Sequence, residues 1–293
     1  MPSVATLAID IGGTKLAAAL VEADGTLRRP ARRPTLAGGP AEVLFAELVG
    51  LVDEVRGDER VEACGVGCGG PMAPDGEEVS PLNIPAWRAF PLRRRLADHL
   101  GVRVDVDNDA KALALGEGWC GAARGIADYV AMVVSTGVGG GVVSGGVLLD
   151  GASGNAGHIG HVFVAEGTEP WERHPAGLLE SEASGTAIAL RTGAAPADAP
   201  LAVRVRTGTL VGRAVASVAN LLDLRLAVVA GSVALGYGEP FFTAAQAEVD
   251  RLCAHLAFAA GTRVVPAGLG DAGPLVGAAA VSLRARGVDV GVR

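Results

Sequence analysis

The sequence is short of aromatic residues, charged residues and cysteines, and each shortage excludes a class of protein. Aromatic residues make up 4% of the 293 positions and charged residues 19%, whereas 49% are hydrophobic. Such a chain can bury a large core and is not intrinsically disordered, and its length suits two ordinary domains or one large one. The cysteines include no CxxC pair, which argues against a disulfide framework and a zinc knuckle. They are Cys64, Cys68, Cys120 and Cys253.

A basic targeting segment and a long apolar stretch are also lacking. The first basic residue is Lys15, so the N-terminus does not resemble a signal peptide, and no apolar stretch is long enough to cross a bilayer. We therefore expect a soluble cytoplasmic protein with no membrane partner. Acidic residues outnumber basic residues by 32 to 25, a formal net charge of −7, which argues against nucleic acid as a partner.

Glycine is the residue present in excess, with 43 copies. Glycine tolerates positive φ angles and lets a backbone or a ligand approach closely. Two segments, starting near residues 4 and 129, share one order of elements: an apolar strand, a glycine turn, a second strand and a further turn. This repeat predicts related architecture in the two halves of the chain. The second glycine turn is predicted over residues 137–141.

The other hydrophobic patterns predict an α/β protein. Further strands are expected over residues 61–67, 102–106 and 226–230. Helices are expected after Pro40, from Pro91 and from Asp109, and over 184–191, 210–222, 240–260 and 274–286.

The segment from Asp10 to Lys15 is the first candidate site. Backbone amides at Gly12 and Gly13 can approach phosphate oxygens, and Thr14 adds a hydroxyl donor. The carboxylate of Asp10, at the end of a buried strand, suits a hydrated Mg²⁺ ion. The alternative is an ordinary hairpin with a capping aspartate.

Two further glycine segments follow later in the chain. Four of the five residues from 137 to 141 are glycines, and a segment of that glycine density usually admits a ligand. The turn at Gly231 and Ser232 follows an apolar strand and is a candidate for closing over a nucleotide base.

A carboxylate lies between these segments, in the sequence Asp107-Asn108-Asp109. Asp109 stands where a strand gives way to a helix, and a carboxylate there can accept a proton from a substrate hydroxyl during phosphoryl transfer. The alternative is that Asn108 or Asp109 only caps the helix.

Two histidines, His158 and His161, lie three residues apart, and Glu180 follows. Two histidines without a clear third ligand make a poor zinc site. Hydrogen bonding to a polyhydroxylated ligand explains them equally well.

Taken together, these motifs resemble those of the ROK family (repressor, open reading frame, kinase) of sugar kinases and repressors, over almost the whole chain. The resemblance implies the two-lobed actin/hexokinase/Hsp70-like ATPase fold, with a cleft between the lobes. DIGGTK (10–15) resembles the first phosphate loop of the family, and STGVGGG (135–141) resembles its second phosphate loop. The other motifs are VDNDA (106–110), the histidine motif GNAGHIGH (154–161), LESEASG (179–185), VVAGSVAL (228–235) and DAGPLVGAA (271–279).

The resemblance also assigns roles to single residues. It implies that Asp109 is the general base and that Asp10 holds Mg²⁺ through water. Sugar contacts are implied for Gly70, Asn83, Asn108, His158, His161 and Glu180. ATP contacts are implied for Asp10, Gly12, Gly13, Thr14, Lys15, Thr136, Gly137, Gly139, Gly140, Gly231 and Ser232.

Two departures from the family pattern bear on metal and substrate. Most members bind zinc through the second histidine and three cysteines, but here those cysteine positions hold Trp171, Arg173 and Leu178, so zinc is not expected. Glucokinases usually carry Glu at the position of His158. The AGHIGH sequence is similar to that of bacterial N-acetylmannosamine kinases, which favours N-acetylmannosamine over glucose or another amino sugar such as kanosamine.

The family resemblance gives further expectations. An N-terminal lobe is expected over residues 1–115, with a C-terminal helix at about 280–293 packing back on it, and a second lobe over 116–279. We expect an ATP- and Mg²⁺-dependent kinase that acts, as a homodimer, on the 6-hydroxyl of a hexose or amino hexose. A ROK repressor needs an N-terminal winged helix, for which the first strand leaves no room. A catalytically silent sugar sensor would be expected to have lost the base or a phosphate loop.

Overall fold

The computed structural model describes residues 5–166 and 175–293 and divides the chain into two compact units. Unit 1 consists of Met1–Arg124, Asp150–Ala156 and Leu269–Arg293, and unit 2 of Gly125–Leu149 and Gly157–Gly268. Compared with the expected division after residue 115, unit 1 continues to Arg124 and also contains a short segment from the middle of the chain.

Both strands and helices occur along the described chain, as the hydrophobic pattern predicts. Among the described residues, no helix combines the length and apolar character needed to span a membrane. The strands are β1 (Thr6–Ile11), β2 (Lys15–Val21), β3 (Leu27–Pro34), β4 (Ala63–Cys68), β5 (Arg103–Asn108), β6 (Tyr129–Val134), β7 (Val138–Ser144), β8 (Val147–Leu148), β9 (Leu226–Ala230) and β10 (Arg263–Pro266). The α-helices are α1 (Ala41–Arg56), α2 (Leu92–Leu100), α3 (Asp109–Trp119), α4 (Leu179–Ala183), α5 (Gly185–Thr192), α6 (Leu201–Leu222), α7 (Ser232–Tyr237), α8 (Glu239–Cys253) and α9 (Gly273–Ala285).

Each unit contains one five-stranded sheet, and the two sheets have the same topology. The strand order is β3-β2-β1-β4-β5 in unit 1 and β8-β7-β6-β9-β10 in unit 2. In both sheets the first three strands form an antiparallel meander, the fourth strand pairs in parallel with the first, and the fifth pairs in parallel with the fourth. The repeat of elements seen in the sequence therefore corresponds to a repeated sheet topology.

The two faces of the unit 1 sheet differ in side-chain size. Successive residues of a strand point to opposite faces, so Leu7 and Ile9 pack in the large core with α1 and α2, whereas Ala8 packs with α9. A Cβ on Gly65 of β4 would overlap the backbone of α9 at Ala278. Small residues on this face therefore let α9 lie directly on the sheet.

The core of unit 2 is separate and is built around β6, β9 and the long helix α6. Met132 and Val229 from the sheet, Val211 and Val215 from α6, and Phe241 from α8 are all fully or almost fully buried in it. The glycine loop between β6 and β7 therefore rises from a rigid, apolar base.

Several sequence-based expectations about local structure are wrong. The predicted glycine turn over residues 137–141 is one of them: residues 138–141 belong to strand β7, and only 135–137 form the turn. The glycine-rich segment stays extended because it pairs with β6 on one side and packs against Gly157 and Ile159. The edge strand β3 was missed because its four arginines and two prolines carry no apolar alternation, which an edge position tolerates. Helix α9 ends at Ala285, so the end of the expected C-terminal helix is not helical.

Candidate active site

In unit 1, the carboxyl ends of three parallel strands bring the first candidate residues together. Asp10 of β1 pairs with Gly67 of β4, which in turn pairs with Asp107 of β5. An ideal Cβ on Gly67 would lie 3.5 Å from the Cα of Asp109. The candidate metal ligand and the candidate base therefore lie on either side of a strand that has no side chain at that point.

The electrostatics of Asp10 agree with this proximity. Its side chain is 7% exposed, and burial, followed by the negative charge of Asp109, raises its pKa to about 7, against the opposing influence of Lys15 and Arg32. A nearby divalent cation would favour the ionised carboxylate, which is the kind of ligand Mg²⁺ prefers. Asp10 therefore has the chemistry needed to hold the implied hydrated Mg²⁺ ion through water.

Helix α3 begins at Asp109, and the side chains of Asn108 and Asp109 both accept a hydrogen bond from its first turn. The Asn108 side chain accepts a hydrogen bond from the Ala110 amide at 3.0 Å, and Asp109 Oδ1 accepts from the same amide at 2.8 Å. Asn108 is thus the N-cap. Capping and a chemical role are compatible, since Asp109 is the first helical residue and its side chain is partly exposed.

The other expected sugar contacts of unit 1 lie in two places. A Cβ on Gly70 would be 3.2 Å from Asn108 Nδ2, so this loop glycine adjoins the cap residue. Asn83 instead lies against the first phosphate loop, where a Cβ on Gly13 would be 2.5 Å from the Cβ of Asn83. In the same loop, Gly12 donates its amide to Lys15 O at 3.0 Å, and Thr14 and Lys15 are exposed.

Two residues that sequence analysis did not select lie beside this group. Lys111, on α3, is buried and donates to Asp150 at 2.6 Å. The Asn155 side chain is hydrogen-bonded to the backbone of Met72, close to Gly70. The available signal for Lys111 was its position four residues after Asp107 in a helix otherwise rich in Ala and Leu.

In unit 2, the second phosphate loop is held by Glu180. Its Oε2 accepts the Val138 amide at 2.7 Å, and a Cβ on Gly137 would lie 3.0 Å from the same oxygen. A residue selected for sugar contact therefore also fixes the end of the glycine turn, where Thr136 is exposed and Gly137 is partly exposed. Gly139 and Gly140 belong to β7, opposite Val133 and Met132 of β6.

The glycines of the histidine motif have a packing role. Gly157 has φ +102°, and a Cβ there would overlap the Gly140 carbonyl of β7. The close approach of these two backbone segments explains why Gly157 and Gly140 are both glycines. It leaves His158 and His161 exposed at the start and end of a short turn, with ring centroids 5.9 Å apart in an edge-to-face arrangement.

The third glycine turn lies beside the second phosphate loop. Ser232 begins α7, and its hydroxyl lies 3.0 Å from that of Ser135. Gly231 has φ +101°, and a Cβ there would overlap the Val134 carbonyl at the end of β6. Only glycine therefore fits this turn without strain.

Helix α5 also begins at the second phosphate loop. The Gly185 amide donates to Ser135 O at 2.7 Å, and the Thr186 hydroxyl donates to Thr136 O at 2.9 Å. The positive end of the helix dipole therefore lies at the loop, which favours anions. An open, mostly apolar groove of about 400 Å³ begins at Thr186 and continues along Leu190 to Gly193.

The positions expected to have lost zinc ligands are only partly described. Trp171 and Arg173 lie outside the described residues. Leu178 pairs with Phe163 in an isolated antiparallel bridge. Within residues 5–166 and 175–293, no group of three or more His, Cys, Asp or Glu side chains is arranged to hold a metal ion.

A comparison with known families decides the affiliation of the chain. The model of the ROK family matches residues 6–285. The chain belongs to the ROK family. This confirms the resemblance inferred from the motifs.

Relatives similar to this chain include an N-acetylmannosamine kinase and a glucokinase. N-acetylmannosamine kinase of Escherichia fergusonii is 36% identical over 282 residues, which cover 87% of this chain and 95% of the relative. Glucokinase of Thermotoga maritima is 38% identical over 192 residues, covering 64% of this chain and 60% of the relative. The match to the glucokinase thus spans less than two thirds of that protein.

A solved structure supports the fold. A ROK family glucokinase from Streptomyces griseus, in complex with glucose and AMPPNP, superposes with a TM-score of 0.82 at 28% identity, covering 94% of this chain and 98% of that one. The ROK fold expected from the motifs, that of the actin/hexokinase ATPases, is confirmed.

Proposed function

We propose that this ROK protein is an ATP-dependent sugar kinase that phosphorylates the 6-hydroxyl of a hexose or amino hexose. The observation that carries the proposal is the proximity of Asp109 to buried Asp10 at the carboxyl ends of β1, β4 and β5. One carboxylate suits proton transfer and the other suits a hydrated cation. Sequence relatives named as sugar kinases give the acceptor class.

In the proposed reaction, Asp109 accepts the proton of the sugar hydroxyl as that oxygen attacks the γ-phosphorus of ATP. The new oxygen–phosphorus bond forms while the bond to the β,γ-bridging oxygen breaks, and ADP leaves. Asp10 would hold Mg²⁺ through water, and the ion would neutralise phosphate charge. Asn108, fixed as the cap of α3, would orient the sugar beside Gly70.

The second phosphate loop is proposed to bind the phosphates of ATP. Its support is the N-terminus of α5, the hydroxyls of Ser135, Thr136 and Ser232, and the fixed turn at Gly137. We propose that the base lies between the Gly231–Ser232 turn and the apolar groove that begins at Thr186. An apolar wall there would stack on a purine ring without requiring charge.

N-acetylmannosamine is the favoured substrate. The supporting relative matches 87% of this chain, and His158 stands where glucokinases of the family usually carry Glu. Glucose and another amino sugar such as kanosamine are the alternatives, since relatives named glucokinase also match. We expect the protein to act in the cytoplasm. We also expect it to be a homodimer, and analytical ultracentrifugation would test this oligomeric state.

The deciding experiment is an assay of purified protein with ATP and Mg²⁺ against glucose, mannose, N-acetylmannosamine, N-acetylglucosamine and kanosamine. We expect ADP release that depends on one of these sugars and a product phosphorylated on O6 by NMR. A sugar-binding protein that releases no ADP with any of them would instead be a catalytically silent sensor.

Metal removal tests the expected need for Mg²⁺ and the expected absence of zinc. EDTA should abolish activity, and added Mg²⁺ should restore it, because Asp10 has suitable chemistry for that ion. A zinc-selective chelator should leave activity unchanged, and elemental analysis should find no stoichiometric zinc. One zinc per chain, removed with loss of activity, would contradict the expectation.

A further inference from the structure

Lysine is rare in this chain, and one of its lysines is buried. Of the 25 lysine and arginine residues, only Lys15 and Lys111 are lysines. Lys15 is exposed in the first phosphate loop, whereas the Lys111 side chain is 3% exposed. A buried lysine in a chain that otherwise uses arginine indicates a position where the ammonium geometry matters.

Three oxygens surround the Lys111 ammonium. They are Asp107 Oδ1 at 2.9 Å, Asp150 Oδ1 at 2.6 Å and the Gly154 carbonyl at 3.2 Å. An ammonium has three donors in a compact arrangement and can serve all three, whereas the planar, longer fork of arginine cannot. Desolvation of the lysine is thus offset by a full set of partners.

These contacts connect the segment Asp150–Ala156, called the inserted segment, to the end of β5 that precedes Asp109. Asp107 lies directly before Asn108 and Asp109, and its carboxylate also accepts the Asn108 amide at 2.8 Å. Asp150 and Gly154 belong to Asp150–Ala156, the short stretch that unit 1 receives from the middle of the chain. Lys111 therefore joins two parts of unit 1 that are about 40 residues apart in sequence.

The inserted segment in turn holds the turn that carries Gly70. Asn155 Oδ1 accepts the Met72 amide at 3.2 Å, and Asn155 Nδ2 donates to the Met72 carbonyl at 3.1 Å. A Cβ on Gly70 would lie 4.0 Å from Asn155 Oδ1 and 3.2 Å from Asn108 Nδ2. A continuous series of contacts thus runs from Lys111 through Asn155 to the candidate sugar-binding surface.

We propose that Lys111 is a positioning residue of the sugar site: by binding Asp107, Asp150 and Gly154 together, it holds Asn155 against the turn that carries Gly70. The inference rests on the proposed kinase function, because it is that function which makes Gly70 and Asn108 sugar contacts. Lys111 itself contacts neither substrate in this role. Its loss should therefore weaken sugar binding more than nucleotide binding.

Lys111→Met tests the proposal, since it keeps the length of the side chain and removes the charge. We expect the KM for the sugar to rise by between about tenfold and 100-fold, the range that a misplacement of about 1 Å produces, with the KM for ATP changed by less than about twofold. Lys111→Arg should restore little, because its fork does not match the three acceptors. Asn155→Ala, which leaves the ion pairs intact, should also raise the KM for the sugar.

Arg95→Met is the matched control. It removes an ion pair of the same unit, between Arg95 and Glu42 at 2.7 Å, remote in sequence from the segments concerned. It should lower the melting temperature without changing either KM. A Lys111→Met protein that behaves in the same way, or that raises both KM values equally, would overturn the proposal and leave Lys111 a purely structural ion pair.

Hydrogen exchange gives a readout that needs no activity. The Met72 amide should exchange faster in Lys111→Met and Asn155→Ala than in the wild type. Its exchange rate should be unchanged in Arg95→Met. Unaltered protection in Lys111→Met would also overturn the proposal. If the wild type phosphorylated no sugar, the proposed function would fail, but this measurement would still decide whether Lys111 holds the turn.

Discussion

The turn between β1 and β2 in unit 1 and the turn between β6 and β7 in unit 2 occupy equivalent positions in two sheets of one topology, but their surroundings differ. The first is flanked by ionisable side chains, namely Asp10, Lys15 and, across β4, Asp109. The second is flanked by the hydroxyls of Ser135 and Ser232, by the start of α5, and by a single carboxylate, that of Glu180, which accepts the Val138 amide.

The difference indicates how one backbone design can serve two tasks. Neutral hydroxyls near the start of a helix suit a polyanion, which brings its own charge. Proton transfer and a hydrated cation instead call for carboxylates, and in unit 1 burial and the charge of Asp109 raise the pKa of one of them, Asp10. We therefore expect substitution of the carboxylates beside the first turn to affect the chemical step, and substitutions at the second turn to affect nucleotide binding.

The strongest test of this division is Asp109→Asn. The substitution keeps the size and the helix-end hydrogen bond but removes the proton acceptor, so kcat should fall by about 10²- to 10⁴-fold. Sugar binding and the melting temperature should change little. Asp98→Asn, on the exposed surface of α2, is the control and should be silent; turnover close to wild type in Asp109→Asn would remove this residue from the mechanism.

Next in size is Gly231→Ala in unit 2. The new Cβ would overlap the backbone of β6 in a conformation that favours glycine, so we expect a loss of about 1–3 kcal/mol in the free energy of unfolding and a raised KM for ATP. Gly236→Ala, in α7 with open space around it, is the matched control. Equal effects of the two substitutions on thermal stability would show that the turn is not constrained as described.

His158→Glu should alter the choice of sugar. If His158 faces the C1–C2 edge of the sugar, the substitution should raise kcat/KM for glucose relative to N-acetylmannosamine by about 1–3 kcal/mol, since a site built for one polar group rejects an analogue that leaves it unpaired. Both sugars should be measured on both proteins. A uniform loss on every sugar would mean that His158 only packs against His161.

The smallest effect concerns acid stability, and it belongs to unit 2. Hydrogen bonds from Arg251 and then Arg213 lower the pKa of Glu248 to about 2, against an opposing effect of burial. Because the folded pKa lies below the unfolded value of about 4.5, the stabilisation is present above pH 4.5 and is lost as the pH falls towards 2. The difference in melting temperature between wild type and Glu248→Gln should shrink over that range, and a constant difference would contradict the assignment. Glu239→Gln serves as an exposed control.

Local sequence patterns predicted the parts of the fold that are decided locally. The apolar spacing of Leu44, Leu48, Leu51 and Val55 predicted α1, and the buried run from Leu226 to Ala230 predicted β9, because both depend on side chains of one segment. Strand β3 was missed because its pairing with β2 determines its conformation, and its own residues give no strand signal.

The candidate site shows the same limit of local patterns. The family motifs selected Asp109 and the glycine turns as candidates because these residues stand in short continuous segments. The contacts between Glu180 and Val138, and between Lys111 and Asp150, join residues about 40 positions apart. No local pattern carries such information, since it arises only when the strands that bear these residues are assembled into sheets.

The discontinuity of unit 1 has a consequence for synthesis on the ribosome. Helix α3, which carries Asp109, is complete at Trp119, but α9, which packs on the same sheet, begins only at Gly273. At about 5–20 residues per second, roughly 8–30 s separate the two. During that interval α3 lies on part of the Ala- and Gly-lined face of the unit 1 sheet, and the part that α9 covers in the folded protein is bare. A nascent chain therefore exposes an apolar surface until its final helix emerges, so chaperone demand should concentrate in this window and premature termination should yield insoluble product.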